Sequence, residues 1–163
     1  SLPPNADPYP AIRRIIETLG FGKVATSALE GVQYGFLRQG VDTISVNPDR
    51  ILWLAKQEVQ HLAAQGYTPP EEPKVMAYGN QVLTRLLIEL HNLKRGNFIT
   101  EHDFTVASQI AYVLAGGDLS QPAEMPLSYF YQLEIQVVGY LAQQPKTWDR
   151  MRHMLETGKP LRN

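Results

Sequence analysis

Apolar residues recur at intervals of three and four positions along most of this chain, which is the spacing of one face of an α-helix. The strongest stripe ends shortly before Gly96, and its members are Val82, Leu83, Leu86, Leu87, Leu90 and Leu93. Few runs alternate between apolar and polar residues in the way that a half-buried strand requires. The pattern therefore predicts an all-α protein with about seven helices in an irregular bundle.

Six further segments have the same helical spacing and are bounded by glycine or proline. They run from Pro10 to Gly20, from Ser27 to about Gly35, from Asn47 to Gly66, from Thr100 to Gly116, from Pro126 onward and from Pro145 to Gly158. Their expected inward faces are Ile12, Ile15, Ile16 and Leu19; Ile51, Leu52, Ala55, Val59, Leu62 and Ala63; Phe104, Ala107, Ile110, Ala111 and Leu114; Phe130, Leu133, Val137, Val138 and Leu141; and Trp148, Met151, Met154 and Leu155. Residues 36–46 lack this spacing and are expected to be irregular or weakly strand-like.

Several of these segments begin with capping signals. Ser27 and Glu30 have the spacing of a capping box, in which each side chain accepts a hydrogen bond from a free amide of the first turn. Asn47 is followed by a proline at the first helical position, which favours a helix start. Thr100 precedes the polar run Glu101-His102-Asp103 and is expected to cap the next helix.

Proline-rich stretches predict the organisation of the chain. Residues 1–10 contain four prolines and are expected to be a linker or a domain edge, because proline at that density keeps helix out. Residues 67–78 are expected to be a second proline-rich loop. Between and after them lie two helical parts, residues 11–66 and residues 79–163. The start at Ser1, without a methionine, is consistent with a piece of a longer polypeptide.

Composition narrows the functional classes. The chain has 163 residues, with 15 Lys and Arg against 16 Asp and Glu, for a formal net charge of −1. Such a balance argues against a broad nucleic-acid or anionic-membrane footprint. No apolar run approaches the roughly 18 residues of a membrane span. The absence of cysteine excludes disulfides and thiolate catalysis and fits a cytoplasmic protein.

Glu134 is the most interesting candidate for chemistry. It falls in the stripe of the segment after Pro126, where a carboxylate must be paired, hydrogen-bonded or protonated. A general acid or base is one interpretation, and a structural tie to a neighbouring helix is the favoured one. The four histidines, His61, His91, His102 and His153, are scattered and form no metal-binding spacing. No phosphate-binding or nucleophile motif is present, so we predict no catalytic residues and no metal ligands.

The last residues are locally basic, through Arg150, Arg152, His153, Lys159 and Arg162. Cations are favourable near the C-terminus of a helix, so a solvated helix end explains this cluster. An anionic ligand is the alternative.

Two stretches carry a family resemblance. The run Lys23-Val24-Ala25-Thr26-Ser27-Ala28-Leu29-Glu30, continuing to Gly35-Phe36-Leu37, resembles a helix and turn of the crotonase (enoyl-CoA hydratase/isomerase) superfamily. The closing run His153-Met154-Leu155-Glu156-Thr157-Gly158-Lys159-Pro160 resembles the end of its last helix. Nearly the whole chain is similar to the C-terminal part of bacterial 3-hydroxyacyl-CoA dehydrogenases of fatty-acid β-oxidation that carry a fused crotonase domain. Short sequence motifs recur there in the same order, among them Asn47-Pro48-Asp49-Arg50, Ile99-Thr100-Glu101-His102-Asp103 and Gly116-Gly117-Asp118.

This resemblance implies a non-catalytic role for the chain. Members of the family use NAD and coenzyme A thioesters, but their dinucleotide-binding turn and oxyanion hole lie upstream of the similar region. The chain is therefore expected to be inactive alone, to complete a crotonase domain, and to have the upstream polypeptide or further copies of itself as partners. Lys159 matches a lysine that reaches CoA, and Glu134 matches a glutamate that is not catalytic. The alternative is a stand-alone helical protein-interaction module.

Overall fold

Seven α-helices and one two-stranded sheet form the described part of the chain, in a computed structural model that covers residues 6–20 and 22–163. The helices are α1 (Tyr9–Gly20), α2 (Ala28–Tyr34), α3 (Ile51–Ala64), α4 (Asn80–Arg95), α5 (Glu101–Ala115), α6 (Leu127–Ala142) and α7 (Pro145–Thr157). A short 3-10 helix, Pro48–Arg50, precedes α3. The predicted helical fold class is confirmed. The first half of the predicted linker at residues 1–10 lies outside the described residues.

The contacts divide the chain into two units, and the division differs from the boundaries that the proline-rich stretches suggested. Unit 1 comprises Ser1–Lys23 and Glu72–Asn163, and unit 2 comprises Val24–Glu71. Helix α1 belongs to unit 1 because its buried residues, Ile12 and Ile16, join the hydrophobic core formed by α4 and α5. Separation along the sequence therefore does not reveal which helices share a core.

The core of unit 1 lies where α4 crosses α5. Helix α4 buries Val82, Leu83, Leu86 and Leu90, as its stripe predicts, and α5 contributes Ala111 and Ala115. Alanine at the contact lets two helix backbones approach closely, so the leucines of α4 fill the space between them.

Polar contacts fix α1 against α4 at the edge of this core. The Tyr9 hydroxyl donates to Glu89 at 2.5 Å, and Arg13 Nε donates to the other oxygen of Glu89 at 2.7 Å. The guanidinium of Arg85 lies 3.9 Å from the centre of the Tyr9 ring and pairs with Asp7 at 3.0 Å. The start of α1 is thereby oriented by several charged hydrogen bonds in addition to apolar packing.

One strand of a small antiparallel sheet lies within the segment predicted as a proline-rich loop, residues 67–78. Strand β1 (Lys74–Ala77) pairs with β2 (Ala123–Pro126), and Ala77 lies opposite Ala123. The loop prediction is therefore wrong for residues 74–77. Four residues are too few to show an alternating pattern, and the partner strand is about fifty positions away, so local sequence carries no signal of the pairing.

The capping predictions are confirmed with one change of register. Ser27 accepts from the Glu30 amide at 3.2 Å, but the Glu30 carboxylate accepts from the amide of Thr26, at 2.7 Å, and not from that of Ser27. Thr100 and Asp103 form a complete capping box at the start of α5. Asn47 accepts from the amide of Asp49 at 3.0 Å and starts the 3-10 turn that leads into α3.

Candidate docking surfaces and binding cavity

Unit 2 has almost no interior of its own. Across residues 24–71, all of which the structure describes, Gly31 is the one buried residue. Helix α3 follows its predicted bounds but buries none of its residues, and Leu52 is 85% exposed. A 14-residue helix gains most of its stability from packing an apolar face, so a unit built in this way needs another surface to cover it.

The face of α7 that packs against the rest of unit 1 is opposite to the face that its apolar stripe predicts. Trp148, Met151, Met154 and Leu155 were expected to face inward, but all four are exposed, and that prediction is wrong. The inward positions of α7 are polar, because the start of α5 presents a histidine and a carboxylate to them. Polar partners on α7 satisfy these groups, and the apolar stripe is left on the outside.

His102 and Asp103 are the two groups that α7 covers. His102 is 4% exposed, and its Nε2 lies 3.1 Å from the Thr147 hydroxyl. Burial lowers the pKa of His102, and the nearby charges of Arg150 and Lys146 lower it further. The neutral ring is therefore the form that fits this position.

Asp103 holds α7 through Arg150. Its carboxylate accepts from Arg150 Nη2 at 2.8 Å and from the Thr100 amide at 3.0 Å. Burial alone would raise the pKa of Asp103, but the hydrogen bonds from Thr100 and Arg150 outweigh it and lower the pKa. His102 and Asp103 thus attach α5 to α7, a role beyond the helix cap that the sequence predicted for this polar run.

Glu134 is exposed on α6, so the expectation of a buried carboxylate is wrong. The buried residues of α6 are Leu133 and Val137, four positions apart. Glu134 lies about 100° around the helix from Leu133, on the side of the exposed Val138. The part of the α6 surface that other residues bury is therefore narrower than its apolar stripe. Ile135, which is 72% exposed, adds to the apolar surface of this helix that stays uncovered.

A cavity of about 420 Å³ lies in unit 1 between α1, α4, α5 and the C-terminal residues. Most of its lining is apolar, and these residues are Ile16, Leu86, Leu90, Leu93, Phe98, Ile99, Ala107, Pro160 and Leu161. The charged residues of its wall are Arg13, Glu17, Glu89, Asp103, Arg150 and Arg162. An apolar enclosure with a few convergent polar groups is the usual form of a small-molecule site.

The charges in the wall are distributed unevenly. On the α1 side, Arg13 pairs with Glu89 at 2.7 Å and with Glu17 at 3.1 Å, so two carboxylates share a single guanidinium. Arg150, on α7, pairs with Asp103 at 2.8 Å, and Arg162 has no ion pair or hydrogen bond within the described part of the chain. Arg162 is therefore the one arginine of the cavity wall without an ion-pair partner among the described residues.

The basic cluster at the C-terminus is only partly brought together. Arg150 and Arg162 both line the cavity, whereas Arg152 and Lys159 do not. Lys159 is exposed, and its amide donates to the Thr157 hydroxyl at 3.1 Å. No local sequence signal indicates that Arg13, 137 positions before Arg150, lies in the same wall, because that proximity comes from the packing of α1 on the core.

Among residues 6–20 and 22–163, no group of three or more His, Asp or Glu side chains is arranged to hold a metal ion. In the same residues, no helix is both long enough and apolar enough to cross a bilayer.

Almost the whole of this chain is similar to a protein from another source. Over 157 residues, or 96% of the chain, the sequence is 38% identical to a Bacillus subtilis (strain 168) protein described as a probable 3-hydroxyacyl-CoA dehydrogenase. The matched region is 20% of that protein, so the chain spans about a fifth of the length of this relative. No family model matches the chain. No solved structure matches it either. The predicted resemblance to a segment of a 3-hydroxyacyl-CoA dehydrogenase is confirmed by the match.

Proposed function

We propose that this chain is the C-terminal helical part of a longer β-oxidation enzyme, a 3-hydroxyacyl-CoA dehydrogenase fused to a crotonase-like enoyl-CoA hydratase domain. The observation that carries the proposal is the match itself, which uses 96% of this chain and a fifth of the relative. The lack of a hydrophobic core in unit 2 supports the proposal. Residues 24–71 bury only Gly31, so their apolar side chains need a surface of another part of the protein to pack against. In a longer enzyme the upstream polypeptide supplies that surface.

In this proposal the chain completes the crotonase-like domain and takes no part in the chemistry. Nicotinamide and acyl-CoA binding belong to the upstream part, which would use NAD and CoA thioesters in the cytoplasm. Lys159 is exposed, so its ammonium is available to the phosphates of CoA. The exposed apolar residues of α6 and α7, among them Ile135 and Trp148, are available for contacts with the upstream polypeptide or with a second copy in a homo-oligomer.

A segment exchange tests the proposal. Enoyl-CoA hydration and 3-hydroxyacyl-CoA oxidation are measured for the Bacillus subtilis relative, for that relative without its matching segment, and for a chimera that carries this chain in place of the segment. We expect hydration to be lost on deletion and restored in the chimera, and we expect no turnover by the 163-residue chain alone. Full hydratase activity without the segment, or turnover by the isolated chain, would contradict the proposal.

A matched pair of α3 variants sharpens the exchange. In the chimera, Leu52→Asp places a charge on the apolar face that needs cover, and we expect it to reduce hydration at least about tenfold, because burial of an unpaired carboxylate is costly. Gln57→Asp introduces the same charge at an exposed polar position of the same helix and should leave hydration within about twofold. Equal losses in the two variants would argue against a docking role for this face.

A further inference from the structure

We propose that the cavity of unit 1 binds an aliphatic monocarboxylate, with its hydrocarbon tail on the leucine-rich floor and its carboxylate at Arg162. The inference goes beyond the proposed function, and it rests only on the residues of unit 1.

The shape and lining of the cavity indicate a hydrocarbon. Its volume of about 420 Å³ is within the range of small-molecule sites. The floor is formed by Leu86, Leu90 and Leu93, which follow one face of α4 at helical spacing, with Ile16 and Ala107 on either side. These side chains offer no hydrogen bonds, so the enclosed part of a ligand must be apolar.

The charges indicate where an anionic end would lie. A carboxylate near α1 would meet Glu17 and Glu89 with only Arg13 between them, and that side is unfavourable. Arg150 is already paired with Asp103 at 2.8 Å, whereas the Arg162 guanidinium forms no ion pair or hydrogen bond among the described residues. A guanidinium that is not already paired is the natural partner of a carboxylate.

The segment that carries Arg162 is fixed by its neighbour. The Asn163 side-chain oxygen accepts from Arg150 Nε at 2.8 Å, and its amide nitrogen donates to the Lys146 carbonyl at 3.2 Å. These two bonds tie the C-terminal residues to α7 and place Pro160, Leu161 and Arg162 in the cavity wall. The backbone that carries Arg162 is therefore held beside the apolar floor before any ligand binds, which removes part of the entropic cost of binding, and the Arg162 side chain itself is exposed.

Calorimetric titration of the 163-residue chain with decanoate, below its micelle-forming concentration, tests this proposal. We expect saturable binding that Arg162→Gln weakens about tenfold, which is the usual effect of removing a charged hydrogen bond. Arg152→Gln is the matched control, because Arg152 is also a basic residue of the C-terminal region but does not line the cavity. It should change the affinity by less than about twofold.

Decanol and decylammonium have the same chain length as decanoate, so they distinguish the contribution of the charged group to affinity from that of the hydrocarbon tail. Decanol should bind more weakly than decanoate and should be insensitive to Arg162→Gln, and decylammonium should also bind more weakly than decanoate. The absence of saturable decanoate binding to the folded chain would overturn the proposal, as would equal affinity in Arg162→Gln or tighter binding of decylammonium. None of these results bears on the segment exchange, so the two proposals fail separately.

Discussion

Replacing Gly79 by alanine is expected to lower the free energy of unfolding of unit 1 by about 3 kcal/mol or more. Gly79 joins β1 to α4 with φ 54° and ψ −140°, a conformation that side chains with a Cβ avoid. A Cβ there would lie 2.1 Å from the Leu119 carbonyl oxygen and 2.7 Å from Leu119 Cβ. The chain cannot move aside freely, since the Gly79 amide donates to Ala115 at 2.7 Å and the Asn80 amide donates to Leu119 at 2.9 Å.

Gly139→Ala is the control for this experiment. Gly139 lies inside α6, and a Cβ at that position would meet nothing within 4 Å. Alanine should stabilise the helix by up to about 1 kcal/mol, because it restricts the unfolded chain and favours helix. Urea unfolding followed by far-ultraviolet circular dichroism measures both variants. If Gly79→Ala were as stable as Gly139→Ala, the close approach at Leu119 would not exist.

Truncating Leu86 to alanine should cost about 2–4 kcal/mol. Leu86 is 2% exposed and packs in the core between α4, α5 and α1. Its removal takes away apolar contacts and enlarges the space beside the cavity, and the surrounding helices can close that space only in part.

Ile88 provides the comparison for Leu86 on the same helix. It is 58% exposed, so Ile88→Ala should change the free energy of unfolding by less than about 1 kcal/mol. Chemical denaturation of the two variants under the same conditions gives the difference directly. A smaller loss for Leu86 than for Ile88 would mean that α4 presents its other face to the core.

The helices could be predicted from sequence because their signals are local. Capping residues such as Ser27 and Thr100, and the glycines after each stripe, act within one turn, and the predicted starts and stops agree with the structure to within a few residues. The stripe of α4 also gave its buried face correctly, since four of its six members are buried. In that helix, apolar character and burial coincide.

Each incorrect prediction concerns a property that depends on which residues pack against a side chain in the folded protein. The stripe of α7 is apolar but exposed, because His102 and Asp103 occupy the surface that α7 covers and require polar partners. Glu134 has apolar neighbours in sequence yet lies outside the covered arc of α6. The pairing of β1 with β2 and the meeting of Arg13 with Arg150 in one wall likewise depend on tertiary packing, which periodicity does not encode.

Hydrogen exchange at the backbone amides of α3 tests most directly whether this chain is completed by a longer polypeptide. The 163-residue chain and the chimera with the Bacillus subtilis relative are compared, and the α4 amides serve as an internal reference because the apolar face of α4 is buried within unit 1 of the chain itself. We expect α3 to exchange rapidly in the chain alone and at least about a hundredfold more slowly in the chimera, since covering its apolar face makes local opening costly. Equal exchange of α3 in the two proteins, with α4 protected in each, would contradict the account.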